Sequence, residues 1–417
     1  MRRHTEMSKR VQDLALFGGA PAFAEPLYVG RPNIGDRARF LERVNAILDA
    51  RWLTNDGPYV RELETRIAQL CGVKHCIAMC NATVALEIAI RALDLRGEVI
   101  VPSMTFVATA HALQWQNITP VFCDIDPDTL TLDPQRVEAL ITPRTTGILG
   151  VHLWGRACNT NALRALAEKY NLRLLYDAAH AFYTTHDGVM IGNFGQAEIF
   201  SFHATKFFNT FEGGAAVTND DALADKMRLM RNFGFAGYDT VVELGTNAKM
   251  SEVSAAMGLT GLESLDAFVA IHRAHYEQYA RELRELRGVR VLDYDAGERA
   301  NYQYVVLDID AAHSGIARDV LLEMLWAENL RARRYFFPGC HRMEPYRTLY
   351  PRAGEHLPVT EKMLERVLVL PTGSAVSADD VHTICQLLRF CLDHAAEINH
   401  ANALAQSVAL SALTSDV

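Results

Sequence analysis

No apolar run in this 417-residue chain reaches the length that a membrane-spanning helix needs. The first residues, Met1 to Met7, are charged and lack the apolar stretch of a secretory signal. The chain also lacks internal repeats and low-complexity linkers. We therefore expect a cytoplasmic protein that does not associate with membranes.

Excess positive charge is absent as well. The net charge is −9 and the isoelectric point is near 5.9, which argues against a surface for nucleic acid or anionic membranes.

The eight cysteines include no C-x-x-C pair, and most of them lie in apolar runs. This usage favours reduced, buried thiols in the cytosol, and we expect no metal site.

Short apolar runs alternate with helical patterns as far as about residue 220, and their hydrophobicity is continuous rather than alternating. This predicts a largely parallel sheet covered by helices on both faces, with ligands at the carboxyl ends of its strands. The predicted strands are 75–79, 98–101, 120–124, 146–151, 173–176, 198–202 and 214–218, and the predicted helices between them include 83–93, 107–116 and 160–170.

After about residue 260 the pattern predicts a smaller α+β domain. It comprises one long helix over 251–286, strands 289–292, 302–309 and 367–370, and helices 317–328 and 378–392. We expect an N-terminal segment (1–35), a large domain (36–260), a small C-terminal domain (261–395) and a tail (396–417) that frays or lies against a neighbour.

Lys206 follows the apolar strand 198–202 within a few residues. A lysine at the end of a buried strand loses hydration, which favours the neutral amine that attacks an aldehyde carbon. This is the form that Schiff-base chemistry with pyridoxal 5′-phosphate requires. A purely structural strand-end lysine is the alternative.

Asp177 ends a second apolar strand, Leu172 to Tyr176, and is followed by Ala178 and Ala179. A carboxylate there needs a compensating cation, and the pyridinium nitrogen of pyridoxal phosphate is one. The alternative is that Asp177 caps the start of a helix. The occurrence of both strand-end units in one chain favours the cofactor role.

A phosphate would need its own donors. The turn from strand 75–79 into helix 83–93 offers the backbone N–H groups of Ala82 and Thr83, and Ser201 adds a hydroxyl. Phe106, after another strand, offers a ring face for stacking. Simple capping by Asn81 or Thr83, and a core role for Phe106, are the alternatives.

Taken together, six segments resemble the DegT-like sugar aminotransferases over roughly residues 12 to 395. These fold-type-I enzymes use pyridoxal phosphate and act on nucleotide-linked keto sugars. The resemblance implies an α/β fold with a mostly parallel seven-stranded sheet flanked by helices and a smaller C-terminal α+β domain. The segments are Asn81-Ala82-Thr83, Pro102 to Phe106, Asp177 to Ala181, Ser201 to Lys206, Glu212-Gly213-Gly214 and Gly245 to Glu252.

The resemblance also assigns roles. Lys206 would link the cofactor and shuttle the proton, Asp177 would pair with the ring nitrogen, and His180 would contact the ring hydroxyl. Phe106 would stack on the ring. The phosphate would be held by Ala82, Thr83 and Ser201, and by Asn247 from the partner subunit of a homodimer with composite sites.

Four further segments resemble those family members that aminate C4 of dTDP-4-keto-6-deoxyglucose: Leu14 to Gly19, Trp52 to Pro58, His152 to Arg156 and Tyr335 to His341. L-Glutamate would convert the cofactor to pyridoxamine 5′-phosphate, and the product would be dTDP-4-amino-4,6-dideoxyglucose. Phe211 and His180 depart from many members of the family, which have glycine and glutamine there, and these departures bear on the identity of the sugar.

The expected contacts to the nucleotide sugar are Lys249, Arg333, Tyr335 and His341. The densest basic cluster, Arg331, Arg333, Arg334, His341 and Arg342, suits a diphosphate, and a solvated basic turn is the alternative. A 3-keto substrate and a galacto product also stay open. A sugar dehydratase of the deoxygenating type would have histidine where Lys206 stands, and a non-catalytic regulator would lack the lysine or carry a DNA-binding domain.

Overall fold

The computed structural model describes residues 10–403. The strands within this range are β1 (Leu27–Tyr28), β2 (His75–Met79), β3 (Glu98–Pro102), β4 (Thr119–Cys123), β5 (Thr145–Val151), β6 (Arg173–Asp177), β7 (Thr185–His186), β8 (Val189–Met190), β9 (Ala197–Ser201), β10 (Gly214–Thr218), β11 (Val289–Val291), β12 (Val305–Ile309), β13 (Leu330–Arg331) and β14 (Val367–Leu370).

The α-helices in the same range are α1 (Arg37–Ala50), α2 (Pro58–Cys71), α3 (Ala82–Ala92), α4 (Val107–Gln114), α5 (Pro134–Ala139), α6 (Thr160–Tyr170), α7 (Asp221–Arg231), α8 (Glu252–Leu262), α9 (Leu265–Leu283), α10 (Ala311–Ser314), α11 (Arg318–Ala327), α12 (Tyr346–Leu349), α13 (Pro358–Leu364) and α14 (Ala378–Asp393). Short 3-10 helices span Val11–Asp13, Ala15–Phe17, Leu153–Gly155, Cys340–Arg342 and Ala353–His356.

A seven-stranded sheet in the order β2-β10-β9-β6-β5-β3-β4 forms the centre of the first part of the chain. Only β10 runs against the others, being antiparallel to both β2 and β9. All seven strands predicted from the sequence are present, with ends displaced by no more than one residue. The mostly parallel sheet is therefore confirmed.

Both faces of this sheet are buried. Along β3, Val99 and Val101 belong to the same core cluster as Ile90 of α3, whereas Ile100 belongs to the cluster that contains Leu163 of α6. Neighbouring residues of a strand point to opposite faces, so a sheet covered on both sides requires apolar residues in succession. This explains why the strands read as continuous apolar runs.

The antiparallel direction of β10 brings its first residue to the edge where the parallel strands end. Gly214 pairs with Met79, the last residue of β2, and with Ser201, the last residue of β9. The carboxyl ends of β2, β6 and β9 and the start of β10 therefore meet at one edge.

A three-stranded antiparallel sheet, β11-β12-β14, forms the second unit. The N-terminal segment packs against it: β1 pairs in parallel with β13, and Leu14 and Leu27 are buried in the same cluster as Leu330. Segment 1–35 is thus attached to the small domain as far as the structure describes it, although the large domain follows it in sequence.

The single helix predicted over 251–286 is wrong, because α8 and α9 are two helices that meet at 63°. At the break, the Ser264 hydroxyl donates to the Thr260 carbonyl at 3.4 Å, and the Glu263 carboxylate pairs with Arg43. Side-chain bonds of this kind compete with helical backbone bonds. Within residues 10–403 no single helix is long and apolar enough to cross a membrane; only the bent pair meets that criterion.

Two smaller expectations concern the tail and the thiols. Residues 395–403 are helical rather than frayed, and Ile398 is buried in the core of the small domain, while residues 404–417 lie outside the described part. All eight cysteines are free, and all but Cys80 are buried, so the prediction of buried thiols is confirmed for these seven residues.

Candidate active site

A cavity of about 400 Å³ opens at the edge where β2, β6 and β9 end. It brings together nine of the side chains or backbone groups predicted from the sequence, although they are spread over most of the chain. They are Ala82, Thr83, Phe106, Asp177, His180, Ser201, Lys206, Arg333 and Tyr335.

Lys206 stands in the loop between β9 and β10, where its amide donates to the His203 carbonyl at 2.9 Å in a tight turn. Burial lowers the pKa of its amine from the ordinary 10.5 to about 8, and the charge of Asp177 opposes this shift. Desolvation therefore outweighs the attraction of the carboxylate. The neutral, nucleophilic amine is therefore far more populated near neutral pH than that of an ordinary lysine.

This pKa predicts how the apoprotein reacts with pyridoxal phosphate. As the pH rises through about 8, Lys206 loses its proton, so the rate of combination should increase about fivefold from pH 7 to pH 8 and level off above about pH 9. Stopped-flow absorbance would measure it. The reaction of Nα-acetyllysine with pyridoxal phosphate is the control, because the titration of the aldehyde reagent affects this reaction and that of Lys206 equally. A profile matching that of the free lysine would contradict the shift.

Asp177 is buried at the end of β6. Its Oδ2 accepts a hydrogen bond from the Thr109 hydroxyl at 2.8 Å, and its Oδ1 accepts one from the Ala179 amide at 3.0 Å. Burial raises the pKa of this carboxyl above its usual value, and these two hydrogen bonds oppose the shift. No helix follows Asp177, so the alternative that it caps a helix is wrong.

His180 is held as a neutral ring. The Trp154 amide donates to its Nδ1 at 3.2 Å, which leaves the proton on Nε2, and burial lowers its pKa well below the usual value. The ring stacks on Phe336 with centroids 5.6 Å apart and also contacts Tyr304. His180 therefore presents an N–H donor rather than a cation to the cavity.

The start of α3 forms the anion-binding end. Asn81 caps the helix through the Val84 amide at 2.9 Å, and the backbone N–H groups of Ala82 and Thr83 remain at the cavity. Gly214 of β10 lies so close that a Cβ there would come within 2.5 Å of the Ala82 nitrogen. A glycine is thus needed for this approach, and the helix N-terminus with Ser201 suits a phosphate dianion.

Phe106 stands at the start of α4 and is 58% exposed, and its ring meets that of Phe336 at a centroid distance of 6.3 Å. The interpretation of Phe106 as a core residue is therefore wrong. An exposed aromatic face on a cavity wall is suited to stacking on a planar ring.

Several supporting residues were not found from the sequence. Asn301 donates to the His180 carbonyl at 3.0 Å, Gln303 to the Thr205 carbonyl at 3.1 Å, and Asn33 to the Phe207 carbonyl at 3.0 Å. These three amides hold the chain on either side of Lys206 and at His180. These three residues are far from their partners in sequence, so no local pattern reveals them. Thr109, which donates to Asp177, lies three residues after Phe106 on the same predicted helix, and this spacing indicates that it could face the same site.

His341 was expected to contact substrate, and the structure contradicts this. Its Nδ1 lies 2.6 Å from the Ser103 hydroxyl and its Nε2 2.7 Å from the Glu361 carboxylate, and the ring is buried outside the cavity. Both nitrogens are therefore occupied, and His341 tethers the 340–342 segment to the end of β3. The expected basic cluster is dispersed: Arg342 pairs with Glu361, Arg334 pairs with Asp319, and only Arg333 faces the first cavity.

Asn247 and Lys249 do not line the cavity of their own chain. The Lys249 ammonium donates to the Asn247 side chain at 2.7 Å and lies over the Phe233 ring, and Asn247 is exposed. Lys249 lines a separate cavity together with Arg231 and Asp56. Lys249 therefore does not reach the cavity of its own chain, whereas Asn247, expected at the phosphate of the partner subunit, stays a prediction.

One group of potential metal ligands exists among the described residues, namely His186, Asp187 and Glu298. It lies near the β7–β8 hairpin, outside the cavity, and the Glu298 carboxylate already accepts hydrogen bonds from Thr185 and Gly188. These hydrogen bonds satisfy the Glu298 carboxylate, so its position does not require a metal ion.

The part of the chain that contains Lys206, Asp177 and the α3 N-terminus matches a known family. The DegT/DnrJ/EryC1/StrS aminotransferase family matches residues 35–389. The chain belongs to this family. It is accordingly a sugar aminotransferase, and aminotransferases of this family depend on pyridoxal phosphate.

Individual relatives of this aminotransferase are similar over nearly their whole length. A dTDP-4-amino-4,6-dideoxy-D-glucose transaminase from Shigella dysenteriae is 36% identical over 88% of this chain and 99% of its own. The Escherichia coli protein of the same name is 34% identical over 86% of this chain and 97% of its own. DesI, whose structure was solved in the presence of its TDP-sugar product, is 50% identical in sequence and superimposes with a TM-score of 0.90. The match covers 94% of this chain and 100% of the DesI chain.

Proposed function

We propose that this aminotransferase uses pyridoxal phosphate to move the amino group of L-glutamate to C4 of dTDP-4-keto-6-deoxyglucose, giving dTDP-4-amino-4,6-dideoxyglucose. The observation that carries the proposal is Lys206, with its lowered pKa, beside the buried Asp177 in one cavity. The names of the transaminases and the 50% identity to DesI support the choice of sugar. The reaction would take place in the cytoplasm.

The residues present fit this cofactor, because the cavity has an anion-binding helix N-terminus at one side and a buried carboxylate at the other. When bound, pyridoxal phosphate supplies an aldehyde for the amino group and a ring that withdraws electrons. Asp177 would hold a proton at the ring nitrogen, and the His180 Nε2–H would donate to the ring hydroxyl. Lys206 Nζ would carry the proton to and from the sugar carbon.

Lys206 also bears on the rival functions. A dehydratase of the deoxygenating type has histidine in place of this lysine, and a regulator without catalysis has no use for an amine of lowered pKa. A 3-keto substrate and a galacto product use the same side chains and differ only in how the sugar lies above the cofactor.

Product analysis tests the proposal directly. The enzyme would be incubated with dTDP-4-keto-6-deoxyglucose, pyridoxal phosphate and L-glutamate, and the product examined by NMR. We expect an equatorial amine at C4 (the gluco product), recognised by the large couplings of the axial C4 proton to its two axial neighbours. An amine at C3, an axial C4 amine or a deoxygenated sugar would each contradict the stated reaction, and omission of L-glutamate is the control.

A homodimer with composite sites is part of the proposal. Asn247 is exposed in its own chain, and the preceding loop exposes several large apolar side chains, Phe233, Phe235, Tyr238, Val241, Val242 and Leu244. Contiguous exposed apolar residues are typical of subunit interfaces. Asn247 would then reach the phosphate bound by the partner subunit, so that neither chain alone completes the site.

Mixing two impaired variants tests this arrangement. Asn247→Ala should weaken cofactor binding by roughly 1–3 kcal/mol, because the phosphate loses one hydrogen bond. Mixing Asn247→Ala chains with Lys206→Ala chains should restore activity, since one site of each heterodimer then has both intact residues. Steady-state rates of the refolded mixture measure this.

In the control, the double variant Asn247→Ala/Lys206→Ala takes the place of Asn247→Ala in the mixture. Mixed with Lys206→Ala it must show no recovered activity, because neither chain of the heterodimer then has Lys206. Activity of the first mixture no greater than the sum of its two components would show that each site is built within a single chain.

A further inference from the structure

His203 and Glu212 are two titratable side chains to which the proposed reaction assigns no role. Both line the same cavity as Lys206. The Nε2 atom of His203 lies 3.5 Å from a carboxylate oxygen of Glu212. Asp177 and His180, the other carboxylate and imidazole among the described residues at this cavity, are already assigned to the cofactor. The pair of His203 and Glu212 is therefore available for the substrate.

The orientation of the His203 ring is fixed by its own turn. The Thr205 amide donates to Nδ1 at 3.2 Å, and the Thr205 hydroxyl lies 2.8 Å from the same nitrogen. A ring nitrogen that accepts from a backbone N–H carries no proton, so the proton of the neutral ring is on Nε2. This N–H is directed to Glu212. Since the Lys206 amide donates to the His203 carbonyl, the ring belongs to the turn that carries the lysine.

The backbone that carries Glu212 is also held firmly. The preceding residue, Phe211, has a φ of 64°, a left-handed conformation that is unfavourable for a bulky side chain. Its ring packs against Phe40 with the centroids 5.7 Å apart, and the Thr210 hydroxyl donates to the Glu212 carbonyl at 3.0 Å. Strained residues persist where their surroundings hold them, and they occur often at functional sites. The turn thus presents the Glu212 carboxylate to the cavity.

The Glu212 carboxylate has capacity to accept further hydrogen bonds. In the described part of the chain, His203 is the one side chain that forms an ion pair with it, and the carboxylate is 67% exposed. The Asp177 carboxylate, in contrast, accepts hydrogen bonds from Thr109 and Ala179. An ionised carboxylate accepts hydrogen bonds only, and its bonds to hydroxyl donors are stronger than those between neutral groups. Glu212 is therefore suited to bind a sugar hydroxyl.

We infer that His203 and Glu212 select the sugar by binding the hydroxyl on the carbon next to the keto group. Glu212 accepts this hydrogen bond, and the His203 ring holds the carboxylate in place. The inference rests on the proposed function, in which the keto carbon lies beside Lys206. In a 4-keto-6-deoxy sugar, C3 is the one neighbour of the keto carbon that bears a hydroxyl, because C5 carries the methyl group and the ring oxygen.

The place of the pair in the chain supports this choice of hydroxyl. His203 and Glu212 lie on either side of Lys206 in the loop between β9 and β10. A substituent one carbon away from the reacting carbon is therefore close to this loop. A site built to bind a hydroxyl discriminates against an analogue without it, because the acceptor is then left unpaired.

Removal of the hydroxyl from the sugar tests the inference. The two ligands are dTDP-4-keto-6-deoxyglucose and dTDP-4-keto-3,6-dideoxyglucose, which differ only in the C3 hydroxyl. The pyridoxal phosphate form of the enzyme has no amino group to transfer, so calorimetry with this form measures binding alone. The wild type should bind the dideoxy sugar about tenfold more weakly, because one hydrogen bond to a charged group is lost. In the pyridoxamine phosphate form, kcat/KM should fall at least as much.

Variants of the pair should lose this discrimination. Glu212→Ala should bind the two sugars with affinities within about twofold of each other, because the acceptor is absent. Glu212→Gln keeps an uncharged acceptor and should discriminate by about threefold. His203→Asn keeps an acceptor for the Thr205 amide but loses the N–H directed to Glu212, and it should also discriminate by about threefold. Glu355→Ala is the control, since Glu355 is exposed and pairs with Arg352, and it should discriminate as the wild type does.

The first half-reaction distinguishes selection of the sugar from a structural role. L-Glutamate has no hydroxyl, so Glu212→Ala should react with it at the wild-type rate and should keep the wild-type affinity for pyridoxal phosphate. A loss of either that equals the loss of sugar affinity would overturn the inference. Undiminished discrimination between the two sugars in Glu212→Ala would overturn it as well.

The proposed function fails by a different result, namely a wild type that forms no 4-amino sugar from dTDP-4-keto-6-deoxyglucose. A wild type that aminates C4 of both sugars equally well, and binds both with equal affinity, would retain the function and refute the role of His203 and Glu212.

Discussion

Lys206→Ala is expected to lose all transamination and the visible absorption of the lysine-linked cofactor. The amine of Lys206, whose pKa is lowered to about 8, is the only lysine nitrogen that lines the described cavity. Alanine removes both the covalent attachment and the group that moves the proton, so the loss should exceed roughly 10⁴-fold. The absorption spectrum and the rate of sugar amination would both be measured.

Lys169→Ala is the matched control, because Lys169 is an exposed lysine paired with Glu138 on the surface. It should keep the wild-type spectrum and rate. Turnover of even a few per cent in Lys206→Ala, with the cofactor present in excess, would refute the assignment of the lysine.

Asp177→Asn should keep the fold and slow transamination by about two to four orders of magnitude. Asparagine has the same shape, and the Thr109 hydroxyl can accept from the new amide where it now donates to Oδ2. The neutral side chain cannot hold a proton on the ring nitrogen, so the ring withdraws electrons less strongly. Single-turnover rates with L-glutamate would show the loss, and thermal unfolding would show that the fold survives.

Asp124→Asn provides the comparison, since Asp124 is also buried and accepts from the Val359 and Thr360 amides, outside the cavity. It should lower thermal stability with little change in rate. If Asp177→Asn behaved in the same way, with reduced stability and a near-normal rate, its carboxylate would have a structural role only.

Much of the large domain was predictable because its strands are buried on both faces. Most of each strand is an apolar run that ends near the edge of the sheet, so the charged residues Asp177 and Lys206 mark the functional edge. The direction of β10 was not predictable in this way, since an antiparallel strand buried on both faces has the same composition as a parallel one.

The errors come from residues whose partners are distant in sequence. His341 has the composition of a phosphate-binding site, but Ser103 and Glu361 occupy both of its ring nitrogens. The long helix breaks at Ser264, where the pairing of Glu263 with Arg43 of α1 is decided by tertiary structure. The contact of Asn33 with the Phe207 carbonyl and that of Asn301 with the His180 carbonyl likewise form only when these distant segments pack against the large domain.

The pairing of β2 has a consequence for folding. β2 is the first strand of the sheet in sequence, yet its sole partner within it is β10, the last one. A chain that has been synthesised only as far as β9 already contains Ala82, Thr83 and Ser201, the phosphate donors that one chain is proposed to supply. It lacks Gly214 of β10, against which the start of α3 packs. Closing so long a loop is costly and slow. A cofactor that binds only the closed sheet would stabilise the complete large domain as a unit, so its removal should lower the cooperative unfolding temperature of the whole domain.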